Sequence, residues 1–258
     1  MVFFCQGLSF FPSALVIWTS AAFLLPYITA TVRGDVDTFV PYISDTGVNP
    51  PERGVFGIML DIASLLGIFT MYIRYKHVDA LNHNYSSCIS LPNKIGLVIG
   101  LLSCFGLCVV ANFQKTLFPD LHKVGAALTF GFGTIYILFQ IIITNKMQQE
   151  LEGKGVFWFR LVVLIWSGLS IVSMIISYGI LHNVDHDRDI AQELHWMPEN
   201  KGYIPHIICT ISEWVLAFSF LSFFLTYIRD FQNILIHVDV TLPGDESDEE
   251  RNIVHSDI

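Results

Sequence analysis

The chain has 258 residues, 53% of them hydrophobic and only 14% charged, with 21 phenylalanines and a net charge of −9. A soluble domain carries about 25% charged residues, so composition alone excludes an ordinary water-soluble enzyme. The acidic balance also argues against a nucleic-acid partner, which needs clustered Lys and Arg.

The apolar residues fall in long uninterrupted runs instead of amphipathic stripes. About 20 apolar residues in helical form cross the roughly 30 Å hydrocarbon layer. Six runs reach that length: Leu8–Val32, Gly54–Ile73, Ile95–Phe113, Val124–Thr144, Leu161–Leu181 and Pro205–Ile228. Backbone in lipid must satisfy its own hydrogen bonds, and the runs lack the alternation of a barrel strand. The expected fold is therefore an all-α membrane protein, a bundle of six transmembrane helices joined by short loops. Residues 1–228 form this domain and 229–258 an acidic, disordered tail.

The first run is read as a span and not as a cleaved leader, because Met1–Gly7 carries no Lys or Arg. Pro26 predicts a kink near its end. Six spans place both termini on one side of the membrane. Eight Lys and Arg lie on that side and six on the other, which favours cytosolic termini under the positive-inside rule. This orientation leaves the one glycosylation sequon, at Asn84, unused.

Asp61 and Glu213 each fall inside a span. Intramembrane carboxylates are costly and mark functional sites by default; the pair reads either as a proton or cation path or as hydrogen-bonded helix glue. Asn112, Ser64, His206 and Ser212 are candidate partners, and no Lys or Arg is expected deep in a helix beside them. Between the first two runs, Val40-Pro41-Tyr42-Ile43-Ser44-Asp45-Thr46-Gly47 concentrates turn formers and aromatics. Such a stretch is either an ordered cap on the bundle or a recognition surface, with Tyr42, Ser44 and Asp45 as its candidate residues.

Gly96-x-x-x-Gly100 and Ala63-x-x-x-Gly67 predict close helix packing within the bundle. Cys104 and Cys108 are read as small buried residues and no disulfide is expected. His182, His186 and the aspartates around them lack a helix signal and are read as a solvated loop, not a zinc site. Ser247 precedes three acidic residues and is a candidate phosphorylation site. No nucleophile elbow, phosphate loop or zinc-protease helix occurs. The expectation is no catalytic residue, no metal and no cofactor.

Several stretches together resemble the DNA-damage-regulated autophagy modulators, within the wider Frag/DRAM/Sfk group of membrane proteins. They include Gly7-Leu8-Ser9-Phe10, Trp18-Thr19-Ser20-Ala21-Ala22-Phe23, Pro41-Tyr42-Ile43-Ser44-Asp45-Thr46-Gly47 and Arg74-Tyr75-Lys76. Ala111-Asn112-Phe113-Gln114, Glu213-Trp214 and Phe224 through Gln232 complete the set. The resemblance implies six spans with cytosolic termini, residence in lysosomal membranes and promotion of autophagy, in some members tied to stress-induced cell death. It supplies no catalytic residue. The leading expectation is a non-enzymatic protein whose partners are membrane lipids and membrane or autophagy-machinery proteins, contacted through the first loop and the Arg74–Lys94 loop. A transporter or ion pathway through Asp61 and Glu213, and a lipid-handling role, are the alternatives.

Overall fold

The structure is a computed structural model and describes residues 7–82, 87–147, 154–184, 194–232 and 234. Asn84 and Ser247 lie outside the described residues, as do Cys5, His186 and the acidic run of the tail. Among the described residues there is no strand. Six helices are long and apolar enough to cross a membrane. They are α1 (Phe10–Arg33), α2 (Glu52–Leu81), α3 (Ser87–Asn112), α4 (Pro119–Lys146), α5 (Lys154–Val184) and α6 (Tyr203–Phe231). The multi-pass expectation holds.

The helices outrun the apolar stretches that announce them. α2 continues eight residues past Ile73, α5 begins seven before Leu161, and α6 ends three after Ile228. Helix ends are set by caps more than by hydropathy. Gly34, with φ of 77°, terminates α1, and its N–H turns back to the carbonyls of Ala30 and Thr31. Pro119 occupies the first turn of α4, where its missing N–H costs nothing. α1 runs without interruption through Pro26 to Arg33.

Each helix packs on its neighbour in the chain, and α6 returns to α1, so the six close into a ring. The predicted small-residue contacts are internal to it. A Cβ on Gly67 would lie 3.1 Å from Cys104 Sγ, and one on Gly100 would lie 2.5 Å from Met71 Sδ. Cys104 and Cys108 both face α2, with Cys108 Sγ 3.2 Å from Ser64 Oγ. The end of the bundle bearing the chain termini is filled by Met71, Tyr136, Phe223, Tyr227 and Phe231. The opposite end is filled by Phe23, Ile43, Phe56, Leu60 and Leu221.

The seam between α4 and α5 is closed only in part. α4 meets α5 along Gly133–Lys146. Just before that stretch, Leu128–Phe132 is a π-helical turn, which shifts the phase of everything preceding it; such turns recur at functional sites. Gly133 ends the turn against Phe220, where a Cβ would collide with the ring.

Candidate functional site

Four of the five candidate residues converge at the end of the bundle away from the termini. The first loop dips between the helices, so that Ile43, Asp45, Thr46 and Gly47 are buried. Glu213 of α6 fixes it there: Glu213 Oε2 accepts the Ile43 N–H at 2.8 Å. One residue along, the Trp214 indole donates to the Pro41 carbonyl at 2.8 Å. Side chains on a helix lean toward its N-terminus, which for α6 is the loop end, so an acid ten residues into the helix reaches the loop.

Around this anchor the loop is locked by charge and aromatic contact. Lys115, in the α3–α4 connection, donates to Asp45 Oδ1 at 2.7 Å and lies 4.0 Å from the centre of the Tyr42 ring. Tyr42 meets His206 edge-on at 5.2 Å, and Trp196 stacks flat on the same imidazole at 4.3 Å. Asp37 accepts from the Trp196 N–H and contacts His195 at 3.2 Å, tying the first loop to the fifth. Burial pushes the Asp45 carboxyl up from its ordinary value, while Lys115 pulls it back. Burial, with Cys209 and nearby carboxylates, also raises the Tyr42 hydroxyl well above its usual range. The first loop is therefore an ordered cap; what it offers outward is its rim, with Phe39 61% exposed.

Asp61 stands apart from this group. It accepts from Asn112 Nδ2 at 2.9 Å, one of the partners expected for it, and it lines none of the cavities that Glu213 lines. Asp61 and Glu213 thus hold different partners among the described residues. Ser212, also named as a partner, bonds Ser173 of α5 instead.

Glu213 lines two cavities. One, of about 120 Å³, lies inside the ring among α1, α2, α3, α4 and α6. The other, of about 560 Å³, is the groove left where α4 and α5 diverge. Ser44, His122 and Phe130 border both, so the two meet at Glu213. His122 Nδ1 lies 2.7 Å from the Phe113 carbonyl, and since a carbonyl only accepts, that nitrogen carries the proton.

A second polar centre lies at the other end, built on two arginines inside helices that pair with neither Asp61 nor Glu213. Arg74 of α2 and Arg160 of α5 are both fully buried. Arg74 Nη1 and Arg160 Nη2 donate to the same Asp230 oxygen at 2.7 and 3.2 Å. Gln140 Oε1 accepts from Arg74, and the hydroxyls of Thr144 and Thr226 accept from Arg160. Both guanidiniums lie about 5 Å from the Tyr227 ring centre, at 5.2 and 5.1 Å. This centre joins α2, α4, α5 and α6. Reading each span as ending at its first charge hid it. For Arg74 the signal in the sequence was the stretch Tyr75–Leu81, which has no Gly or Pro to end the helix.

The comparisons with known proteins follow the same architecture. The family described as the Frag1/DRAM/Sfk1/Cwh43P N-terminal domain matches residues 7–234. The chain belongs to this family. Among its similar relatives, DNA damage-regulated autophagy modulator protein 2 of Bos taurus is 54% identical over 95% of this chain and 91% of its own length. The Homo sapiens protein of the same name is 53% identical over the same shares. DNA damage-regulated autophagy modulator protein 1 of Homo sapiens is 38% identical over 95% of this chain and all of its own length. Within the Frag1/DRAM/Sfk1 family the chain thus stands nearer the second modulator than the first. No solved structure matches it.

Proposed function

We propose that this protein is a non-enzymatic, multi-pass protein of the lysosomal membrane that promotes autophagy through contacts with partner proteins or lipids. The observation that carries this reading is the similarity to autophagy modulators 1 and 2, which spans 95% of the chain. The geometry is consistent with a regulatory role. Two of its buried carboxylates hold loops and helices together, Glu213 by accepting from Ile43 and Asp230 by pairing with two arginines. With the termini in the cytosol, the Tyr42–Asp45 cap faces the lumen and the arginine centre lies toward the cytosol.

The contact surfaces are narrower than the sequence suggests. Arg74–Leu81 is helix, with Arg74 buried, so the proposed loop after the second span shrinks to the connection between Leu81 and Ser87. On the luminal side the surface is the rim of the cap.

The test is autophagic flux in cells lacking the protein, with and without an inhibitor of lysosomal acidification, and with rescue by the intact chain. Reduced flux restored by rescue supports the reading. Flux unchanged in fed and starved cells overturns it.

A further inference from the structure

We infer that the groove between α4, α5 and α6 is a binding site for one sterol molecule, entered sideways from the lipid, with the sterol hydroxyl held among Glu213, His122 and Ser44. The inference goes beyond the proposed function and does not depend on it.

The polar end of the groove has unused hydrogen-bonding capacity. Glu213 is only 9% exposed; one of its oxygens accepts from Ile43, and Oε1 has no hydrogen-bond partner. His122 is 6% exposed and donates through Nδ1 to Phe113, so Nε2 of the neutral ring is an acceptor that the protein leaves unused. The Ser44 hydroxyl, bordering the same space, likewise makes no hydrogen bond. Buried polar side chains are normally satisfied, and open acceptors on two of them, Glu213 and His122, beside the half-buried Ser44 hydroxyl on one cavity describe a ligand's polar end.

That set matches a single neutral hydroxyl. A sterol hydroxyl donates one proton, to Glu213 Oε1 or His122 Nε2, and accepts one from Ser44. A phosphate headgroup fits less well: the two lysines that border the groove are engaged, Lys115 by Asp45 at 2.7 Å and Lys123 over the Tyr178 ring and 4.0 Å from Asp120, while Glu213 adds negative charge at the polar end.

The walls match a rigid, flat body with one smooth and one rough face. On the α4 side Ala126, Ala127 and Gly131 form a low stretch beside Lys123 and Phe130, and a Cβ built on Gly131 meets no atom within 4 Å. Across the groove, Ile171, Met174 and Ile175 of α5 present branched and flexible side chains. From Lys123 to Gly131 the groove runs roughly 12 Å at 1.5 Å per residue, within one leaflet of a hydrocarbon layer about 30 Å thick. Its volume of about 560 Å³ is that of a small-molecule site, in the range of roughly 300–1,000 Å³. The rigid ring system of a sterol loses little entropy on binding compared with a free acyl chain.

The test uses the full chain purified in detergent and a photoactivatable, alkyne-tagged cholesterol analogue. Labelling is expected to saturate, to be competed by cholesterol but not by phosphatidylcholine or ceramide, and to map to peptides from residues 122–132 or 171–181. Gly131→Phe fills open space and Ile175→Trp fills the groove from the other wall; each is expected to cut labelling at least fivefold while the protein stays monodisperse. Labelling that does not saturate, that phosphatidylcholine or ceramide competes as well as cholesterol does, or that maps elsewhere overturns the inference on the wild-type chain alone. Undiminished labelling in either folded variant overturns it too.

Discussion

Arg74 and Asp230 are 156 positions apart and form an ion pair of 2.7 Å with both side chains almost wholly out of solvent. The pair links α2 to α6 across the ring, and Arg160 brings in α5 on the same oxygen. Removing one partner of a buried pair leaves the other charge stranded, which costs about 3–5 kcal/mol. Asp230→Ala strands two guanidiniums at once. It is expected to unfold at a clearly lower temperature in detergent and to fall in cellular abundance. Arg160→Met leaves Asp230 paired with Arg74 and should lose less. Equal stability of Asp230→Ala and the wild type would show that the cluster does not hold the helices.

Glu213→Ala removes the acceptor of a buried backbone N–H, a loss of about 1–3 kcal/mol. Glu213→Gln keeps a carbonyl oxygen for Ile43 and should cost much less. The same reasoning makes Asp61→Asn nearly neutral, because its amide oxygen still accepts from Asn112. Thermal unfolding of the three variants separates these cases. If Glu213→Gln and Asp61→Asn abolish flux rescue at wild-type abundance, the carboxylates act through their charge and the cap role is insufficient.

The bundle was legible because lipid imposes a simple rule: runs of about 20 apolar residues must be helices. What escaped was set by packing, to which a hydropathy reading is blind. Arg74, Arg160 and Asp230 look like flanking charges because each sits just beyond an apolar run, yet the helices extend and converge on them. The site was legible in part. Glu213 and the Tyr42–Asp45 stretch stood out separately through their chemistry, whereas their meeting depends on the loop dipping inward. The groove left no trace in the sequence, since it arises from the π-turn at Leu128–Phe132 and the divergence of two helices that each look like an ordinary span.

Two glycines two residues apart should behave oppositely. Gly133 abuts Phe220 so closely that a methyl group collides with the ring. Gly133→Ala therefore overpacks the α4–α6 contact, at about 1–3 kcal/mol. Gly131 opens on free space in a helical backbone, so Gly131→Ala removes flexibility without strain and should be neutral or stabilising by about 0.5–1 kcal/mol. Unfolding temperatures of the two variants in the same detergent decide the matter, and the reverse order would mean that α4 and α6 do not cross as described.

The cap carries a pH signature through Asp45. Burial raises its carboxyl above the unfolded value of 3.8, the opposing pull of Lys115 notwithstanding. Across the window above 3.8 the folded protein then binds more protons at this position than the unfolded chain, so stability falls as pH rises. The contribution is fully present below the unfolded value and is lost as pH climbs through the folded one. Asp45→Asn removes the titration while keeping an acceptor for Lys115. The wild type is therefore expected to gain stability relative to Asp45→Asn on acidification from about pH 6 toward about pH 4. The measurement is the difference in unfolding temperature between the two proteins across that range. A difference that stays flat, or that grows toward neutral pH, would mean that Lys115 outweighs burial and that the ion pair is the stronger hold on the loop.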